Sequence, residues 1–476
     1  MKIDQKKLER QEIGVYRFIN SKKYGSFKDY CGTLKYCMGV GKTYTAILVM
    51  KCLFKIRDNN HFIVLVPSEN LKLQWEKQLK VQFTKIQLLR IEVMTVNKIV
   101  KNGIIINTIT LIADEIHEYT SDEFIKCING TLIVKQELLG LTGTDDNPKV
   151  KDLLNNFSPV IDEIDEREAI KSGYISNFVE YNISTTLTID EKTEYDRLSK
   201  VIADNISKFG RGGLQLANRC LSGGKHSNGR VYTGLQFAAG WASYNGWNKY
   251  LDLNNPDDKA INDMWNPHKV IGYAIKLINA VRERKNLLYS CENKVQLTLE
   301  LVKKFDDIKT IVFSQSTNFA DKVGLLINEY QSNSAVVYHS QLQSQMLPSE
   351  KTGKLIKFGS TRLRNRALNR IRTGASRVIV TATSLDRGFD VEDIRLGITA
   401  SGTQNPTQYK QRSGRVKRKE TIFSEETIVL VINIFIKDTK DEHWLKKRQS
   451  KSDHIIHEVD NIDNIVFKPK SNFNLL

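Results

Sequence analysis

Short runs of consecutive apolar residues recur along the chain, separated by stretches in which apolar positions return every three or four residues. The runs read as strands buried on both faces, and the periodic stretches as amphipathic helices. Leu8 to Asn20 is thus predicted helical, Cys31 to Cys37 extended, and Tyr44 to Leu53 helical. Phe62 to Val66, stopped by Pro67, reads as a parallel strand, followed by a helix from Leu71 to Lys80 with Trp75 as its core anchor. Ile109 to Ala113 is a further strand. Acids crowd from Asp162 to Glu168 and lead through Ser172-Gly173, which reads as a connection out of a first domain. A second sheet then begins at Phe178 to Leu187 and resumes with Thr310 to Gln315, Ala335 to His339, Arg377 to Thr383 and Thr427 to Ile436. A basic helix around His443 to Arg448 follows. Strands alternating with helices predict parallel α/β sheets. Residues 191–300 fit neither repeat: helical spacing at Tyr195, Leu198, Val201 and Ile202 gives way to Gly, Asn and aromatics between Phe209 and Trp247. They are expected to form a largely helical insertion.

Composition adds a direction. At 476 residues the chain can build two or three cores, and its formal charge of +17 favours a polyanionic partner unless the excess lysines simply cover solvated faces. The basic stretch Lys351 to Arg372 carries the same two readings, as do Arg211, Arg219, Lys225, Arg230, Trp241, Tyr244, Trp247 and Tyr250 in the insertion. There, cations interleaved with aromatics suit either a helical core or a surface that neutralises a backbone and stacks bases. The six cysteines contain no C-x-x-C pair, which argues against a structural zinc and for a reducing cytosol. No apolar run has the length of a membrane span, and the first twenty residues lack a signal-type apolar region. The expectation is a cytoplasmic protein without a membrane partner.

The chemistry begins at Met38-Gly39-Val40-Gly41-Lys42-Thr43, between the first strand and its helix. A Gly-rich turn there aims backbone N–H groups into one concavity, and the helix N-terminus adds partial positive charge, so phosphates bind. Lys42 would reach the outer phosphates and the Thr43 hydroxyl would hold Mg²⁺, whereas a plain turn before a core helix is the bland alternative. The strict pattern asks for Gly where Tyr36 stands. Gln11 either reads an adenine edge or lies exposed on its helix. In the Pro67-Ser68-Glu69-Asn70 loop, Ser68 caps the next helix, touches a nucleic-acid backbone, or both. Asp114-Glu115-Ile116-His117 leaves a buried strand, and two adjacent acids there need a cation. Mg²⁺ on Asp114, with Glu115 polarising a water, satisfies both, and the two motif strands are expected to be sheet neighbours.

Gly39 to Thr43, Asp114 to His117 and Leu141-Thr142-Gly143-Thr144 resemble motifs I, II and III of superfamily 2 helicases and translocases, with a DEAH-like box carrying Ile for Ala and Asp145-Asp146 where Pro is usual. Thr310 to Gln315 and Arg377 to Thr383 with Asp386-Arg387-Gly388-Phe389-Asp390 resemble motifs IV and V, and Gln411-Arg412-Ser413-Gly414-Arg415-Val416-Lys417-Arg418 resembles motif VI. The resemblance implies two tandem RecA-like α/β domains of parallel strands: domain 1 at 1–165, a linker and the start of the second domain at 166–190, the insertion at 191–300, and domain 2 at 301–476. It also implies nucleotide contacts from Gly39, Val40, Gly41, Lys42, Thr43, Tyr44, Gln11, Gly388 and Asp390. Catalysis would fall to Lys42, Asp114, Glu115, Gln411, Arg415 and Arg418, the metal to Thr43 and Asp114, and nucleic-acid contacts to Ser68, Thr95, Ser314, Thr381 and Thr383. The implied activity is ATP-dependent unwinding or branch remodelling of single-stranded, duplex or branched DNA by a monomer. An RNA helicase, or a basic nucleic-acid binder without catalysis, is the alternative. Composition rich in Lys, Ile and Asn suits a phage-encoded chain working in host cytoplasm.

Overall fold

The computed structural model describes residues 5–143, 147–226, 229–248, 254–348, 353–382, 391, 393–418, 427–450, 452 and 454–467. The chain divides into two compact units, Met1–Ser184 with Thr298–Leu476, and Thr185–Leu297.

The first unit contains two α/β sheets. Its N-terminal lobe holds β1 (Cys31–Tyr36), β2 (Phe62–Val66), β3 (Ile91–Thr95), β4 (Ile106–Ala113), β5 (Ile133–Thr142) and β6 (Val160–Ile164). They form one parallel sheet in the order β3-β2-β4-β5-β1-β6. All five residues of β2 are buried, as a strand covered on both faces requires. The expected adjacency of the strands before the two phosphate-site motifs is not observed, because β5 lies between β1 and β4. That long strand buries its last six residues in the sheet centre, so the end of β5 is flanked by both motifs. The acid-rich segment holds edge strand β6 and the short helix Glu166–Lys171, after which the chain passes to the second sheet.

Helices α1 (Gln5–Ile19), α2 (Lys42–Ile56) and α3 (Glu69–Gln82) belong to this lobe. α1 buries Val15 and Phe18 in the core that holds Leu34, Ile47 and Met50. An ionic anchor fixes it beside β6: Arg10 donates to both oxygens of buried Asp162 at 2.7 and 2.9 Å, and Arg17 donates at 2.5 Å. The Tyr36 hydroxyl joins the same carboxylate at 2.6 Å. Burial and the Asp162 charge push that phenol well above its ordinary value, so it remains a donor.

Gly14 admits this arrangement, since a methyl group on its Cα would overlap the Tyr36 hydroxyl. Gly14→Ala is therefore expected to cost about 1–3 kcal/mol, as overpacking does. It should lower the urea midpoint, and Gly14→Ala with Tyr36→Phe should recover part of the loss because the clashing oxygen is gone. An unchanged midpoint in the single variant would contradict the packing argument.

The C-terminal lobe holds β7 (Asn177–Thr185), β8 (Thr310–Ser314), β9 (Ala335–Tyr338), β10 (Val378–Ala382), β11 (Leu396–Thr399), β12 (Ile428–Ile436) and β13 (Ile456–Val459), ordered β9-β10-β8-β11-β12-β7-β13. All nine residues of β12 are buried. β7 thus enters the second sheet before the insertion begins.

The second unit is mostly helical, with helices at Ile189–Ile206, Gly213–Ser222, Gly234–Tyr244, Pro256–Met264 and Pro267–Ser290. Leu198, Phe209, Ala238, Val270 and Leu277 form its own core. It begins at Thr185 and ends at Leu297, a few residues before the expected 191–300. Among the described residues no helix is long and apolar enough to cross a membrane.

Candidate nucleotide site

β1 ends at Tyr36 and α2 starts at Lys42, so the Gly-rich segment forms the turn between them. Gly39 and Gly41 have φ of 93° and 100°, the left-handed region that side chains rarely adopt. The turn is also held from outside by α1. Lys7 Nζ donates to the Gly39 carbonyl at 2.6 Å, and Gln11 Nε2 donates to the Val40 carbonyl at 2.8 Å. A trans peptide points its N–H opposite its C=O, so the Val40 and Gly41 N–H groups face away from α1, as a phosphate cradle needs.

Gln11 is 4% exposed, which removes the reading of a solvated helical glutamine. A Cβ on Gly41 would lie 2.5 Å from the Gln11 amide nitrogen, so glycine lets the two meet. Tyr36, the departure from the strict motif, sends its side chain into the core below the turn and only its carbonyl toward the site. Lys42 Nζ lies 3.3 Å from that carbonyl and 3.6 Å from Met38 Sδ. Thr43 and Tyr44 follow in the first turn of α2, both half-buried.

At the end of β4, Asp114 is 3% exposed. Trp75 Nε1 donates to its Oδ2 at 2.7 Å, and the Glu115 N–H donates to Oδ1 at 3.0 Å. Trp75, read from sequence as a core anchor, is therefore also the residue that aims Asp114. Burial, followed by the neighbouring Glu115 charge, raises the Asp114 carboxyl to about 7, although Trp75 and Lys42 oppose the rise. Glu115 adopts a left-handed conformation at φ 50°, strain of a kind that collects at functional sites. Beneath the pair, Tyr119 donates its hydroxyl to the carbonyls of Leu65 at 3.1 Å and Asp114 at 2.8 Å.

His117 connects this pair to the end of β5. Its Nδ1 lies 3.0 Å from Thr142 Oγ1 and 3.4 Å from Glu115 Oε2. Gly143 comes next, and a Cβ there would lie 3.1 Å from Lys42 Nζ. Thr142 and Gly143 therefore touch one motif loop each, while Thr144, Asp145 and Asp146 lie outside the described residues.

The helix Pro406–Val416 of the C-terminal lobe reaches the same turn. A Cβ on Gly414 would overlap Met38, and the Arg418 Cα would be 3.6 Å from a Cβ on Gly39. Arg418 also forms a backbone bridge with Ile175. Gln411 is buried, and Arg415 is half-buried in the last turn of the helix. Arg412 has a different role: its guanidinium donates to the Ser401 carbonyl at 2.8 Å and the Ser314 carbonyl at 3.2 Å, pinning the strand ends of its own lobe.

Lys417 was not singled out by sequence reasoning. It is 1% exposed, pairs with Glu166 at 2.8 Å and lies 3.7 Å from the Phe178 ring centre. Glu180 on β7, also buried, is 3.8 Å away and accepts from Tyr409 at 2.5 Å and Asn433 at 2.8 Å, with His454 at 2.8 Å. Burial favours protonation of Glu166 and Glu180, yet Lys417 and His454 outweigh it and hold both carboxyls below their ordinary value. Only a faint signal of this hub exists in the sequence: a Glu between Val179 and Tyr181 in a predicted strand.

The nucleic-acid candidates divide. Ser68 caps α3, accepting from Leu71 N at 3.4 Å. Thr95 ends β3, its hydroxyl 3.4 Å from Glu69 Oε1. Ser314 is fully buried and bonds Ser316 and Ser401, and Thr381 is 1% exposed, so neither hydroxyl is open to a strand in this arrangement. Burial at the ends of β8 and β10 accounts for both. Thr383, Gly388 and Asp390 lie outside the described residues.

Among the described residues no cluster of three His, Cys, Asp or Glu is built to hold a metal. Asp114, with Thr43 in the first turn of α2, would hold a divalent cation. Burial and then the Glu115 charge raise the Asp114 carboxyl, a cost that a cation would offset, and such a cation takes most of its other oxygens from water and phosphate.

Two family models match the chain, "Type III restriction enzyme, res subunit" over residues 6–109 and "Helicase conserved C-terminal domain" over 293–420. The DNA 3'-5' translocase XPB2 of Sulfurisphaera tokodaii is 24% identical over 351 residues, 71% of this chain. The chain spans 61% of that relative's length. A solved structure, the Hef helicase domain of Pyrococcus furiosus, is 15% identical at a TM-score of 0.48, covering 92% of this chain and 97% of its own.

Proposed function

We propose that the chain, which matches the restriction-enzyme res-subunit and helicase C-terminal models, is a superfamily 2 nucleic-acid-dependent ATPase and a DNA motor that unwinds or remodels branched DNA. The observation that carries this reading is the meeting of three elements at one turn: the glycine cradle, the Asp114–Glu115 pair and the helix Pro406–Val416 with Arg418 just beyond its end. The relative's name specifies DNA, which is why DNA rather than RNA is proposed.

In this reading the Val40 and Gly41 N–H groups and Lys42 bind the β- and γ-phosphates of ATP. Mg²⁺, held by Thr43 and Asp114, would neutralise phosphate charge. Glu115 orients and deprotonates the attacking water, and His117 passes the state of that carboxylate to Thr142 at the end of β5. Arg415 and Arg418 meet the γ-phosphate from the other lobe, so that ATP favours one spacing of the lobes and its products another. A DNA strand held by both lobes is then moved stepwise.

The Asp114 hydrogen bond gives a pH-dependent test. Asp114 binds a cation only when deprotonated, so metal affinity should fall as pH drops through about 7. Trp75→Phe removes a donor to the carboxylate and shifts its titration further upward. A hydrogen bond to a charged group is worth about 1.5–3 kcal/mol, so apparent Mg²⁺ affinity at pH ~6.5 should fall by about ten-fold or more. The deficit should shrink at pH ~8.5. Equal loss at both pH values would contradict the assignment.

Directional movement is tested by displacement of a triplex-forming strand from duplex DNA, together with unwinding of forks and four-way junctions. ATP-dependent displacement supports the motor; DNA-stimulated hydrolysis with no strand displaced from any substrate would leave an ATPase that does not translocate.

A further inference from the structure

The helical unit has a cleft of its own, about 760 Å³, lined among others by Lys208, Arg211, Leu216, Trp241, Tyr244 and Trp265. Its floor is aromatic. Trp241 and Tyr244, one turn apart on the helix Gly234–Tyr244, stack with ring centres 5.3 Å apart and planes at 18°. Trp241 is fixed from below, because its Nε1 donates to the Lys208 carbonyl at 2.9 Å and its ring rests on the unit's core. Tyr244, by contrast, remains 71% exposed, an unusual position for a large aromatic ring stacked on an anchored one.

The rim of the cleft is cationic. Lys208 lies 4.9 Å from the Tyr273 ring centre, beside the turn 207–212, and Arg211 is exposed on the same turn. Gly210 takes a left-handed φ of 49°, and a Cβ there would lie 3.8 Å from the Trp241 ring, so the turn runs close over the indole. Among the described residues no acidic side chain lines the cleft.

A ligand that suits this surface has a flat π-face for Tyr244 and negative charge for Lys208 and Arg211. Duplex DNA hides its base faces, whereas an unpaired nucleotide offers both a face and a phosphate. We propose that this cleft is a stacking site for an unpaired base of single-stranded DNA, with Tyr244 as the outer platform, Trp241 as its support and Arg211 at the adjoining phosphate. The proposal rests on the DNA-motor reading and adds the substrate form that the insertion selects: a strand already separated.

The test uses the full-length chain without nucleotide, by fluorescence anisotropy at one salt concentration, against dT20, a 20-mer made wholly of abasic sites, and a 20-base-pair duplex. Wild type should prefer dT20 to the abasic strand. Base stacking on an aromatic is worth about 1–3 kcal/mol, so Tyr244→Ala should weaken dT20 binding by about 5- to 100-fold and leave the abasic strand and duplex within two-fold. Tyr244→Phe should bind like wild type. Arg211→Ala should weaken dT20 and the abasic strand equally and reduce the salt slope for dT20 by about 0.7. Unchanged dT20 affinity in Tyr244→Ala, or equal loss on all three ligands, would overturn the proposal. Duplex-stimulated ATP hydrolysis by Tyr244→Ala separates the two readings. If wild-type hydrolysis ignores DNA while the dT20 preference depends on Tyr244, the motor reading fails and the stacking site stands. If hydrolysis responds normally and dT20 binding does not depend on Tyr244, the reverse holds.

Discussion

Alanine at Arg418 is expected to lower kcat for ATP hydrolysis by about 10³-fold while changing KM for ATP by less than about three-fold. A guanidinium brought from a second lobe stabilises charge that spreads over phosphate oxygens only in the transition state, and such a group is worth about 10³ to 10⁵ in rate. Position argues for Arg418, whose backbone lies against Gly39 of the cradle. Arg415→Ala should give a loss of similar size, because both residues close the same helix end. Arg412→Ala provides the contrast. Its buried guanidinium holds the Ser401 and Ser314 carbonyls, so its loss should lower the unfolding midpoint instead of acting on kcat alone. Lysine at Arg418 should not restore the rate, since a point charge cannot reproduce the planar donor fork. A normal kcat in both Arg415→Ala and Arg418→Ala would remove the C-terminal lobe from the chemistry.

The second large effect is expected at Glu115. Glu115→Gln keeps the shape of the side chain and deletes its basicity, and general-base catalysis contributes about 10² to 10⁴ in rate. The variant should bind ATP at least as well as wild type, because the neutral amide removes one of two adjacent negative charges. It should therefore trap the ATP-bound state, seen as strong nucleotide-dependent DNA binding without turnover. Lys42→Ala should fail earlier, losing ATP binding as well as hydrolysis while keeping nucleotide-free DNA binding. If Glu115→Gln hydrolysed ATP at the wild-type rate, the base would have to be another group.

The glycine turn, the acid pair and the basic helix end were legible in the sequence because each is local: a few residues in a row, with chemistry that spacing alone expresses. Their relation in space was only partly legible. Chain order placed the strands before the two phosphate-site motifs side by side, but register and burial put β5 between them. Tyr36 looked like a blemish in a motif when read along the chain. It tops a buried Arg10–Asp162 anchor, its hydroxyl meeting Asp162 across 126 residues, a contact that no local pattern contains. Trp75 was legible as bulk and not as a donor, since a buried indole announces its size and leaves its partner unstated. The Glu180 hub was hidden for the same reason: its partners come from β12, the motif helix and the segment before β13. Ser314 shows the opposite error, in which a residue type at a family position suggested contact with a strand while its hydroxyl is spent inside the lobe.

Coupling of ATP hydrolysis to DNA at the turn between β1 and α2 is read from steady-state ATP hydrolysis at one salt concentration. Wild type and Lys42→Ala would be compared without nucleic acid and with single-stranded DNA, duplex DNA, a four-way junction and single-stranded RNA. Wild-type hydrolysis should be stimulated by DNA, most strongly by the branched form, with none above background in Lys42→Ala. Stimulation by RNA alone, or hydrolysis that no nucleic acid changes, would contradict it.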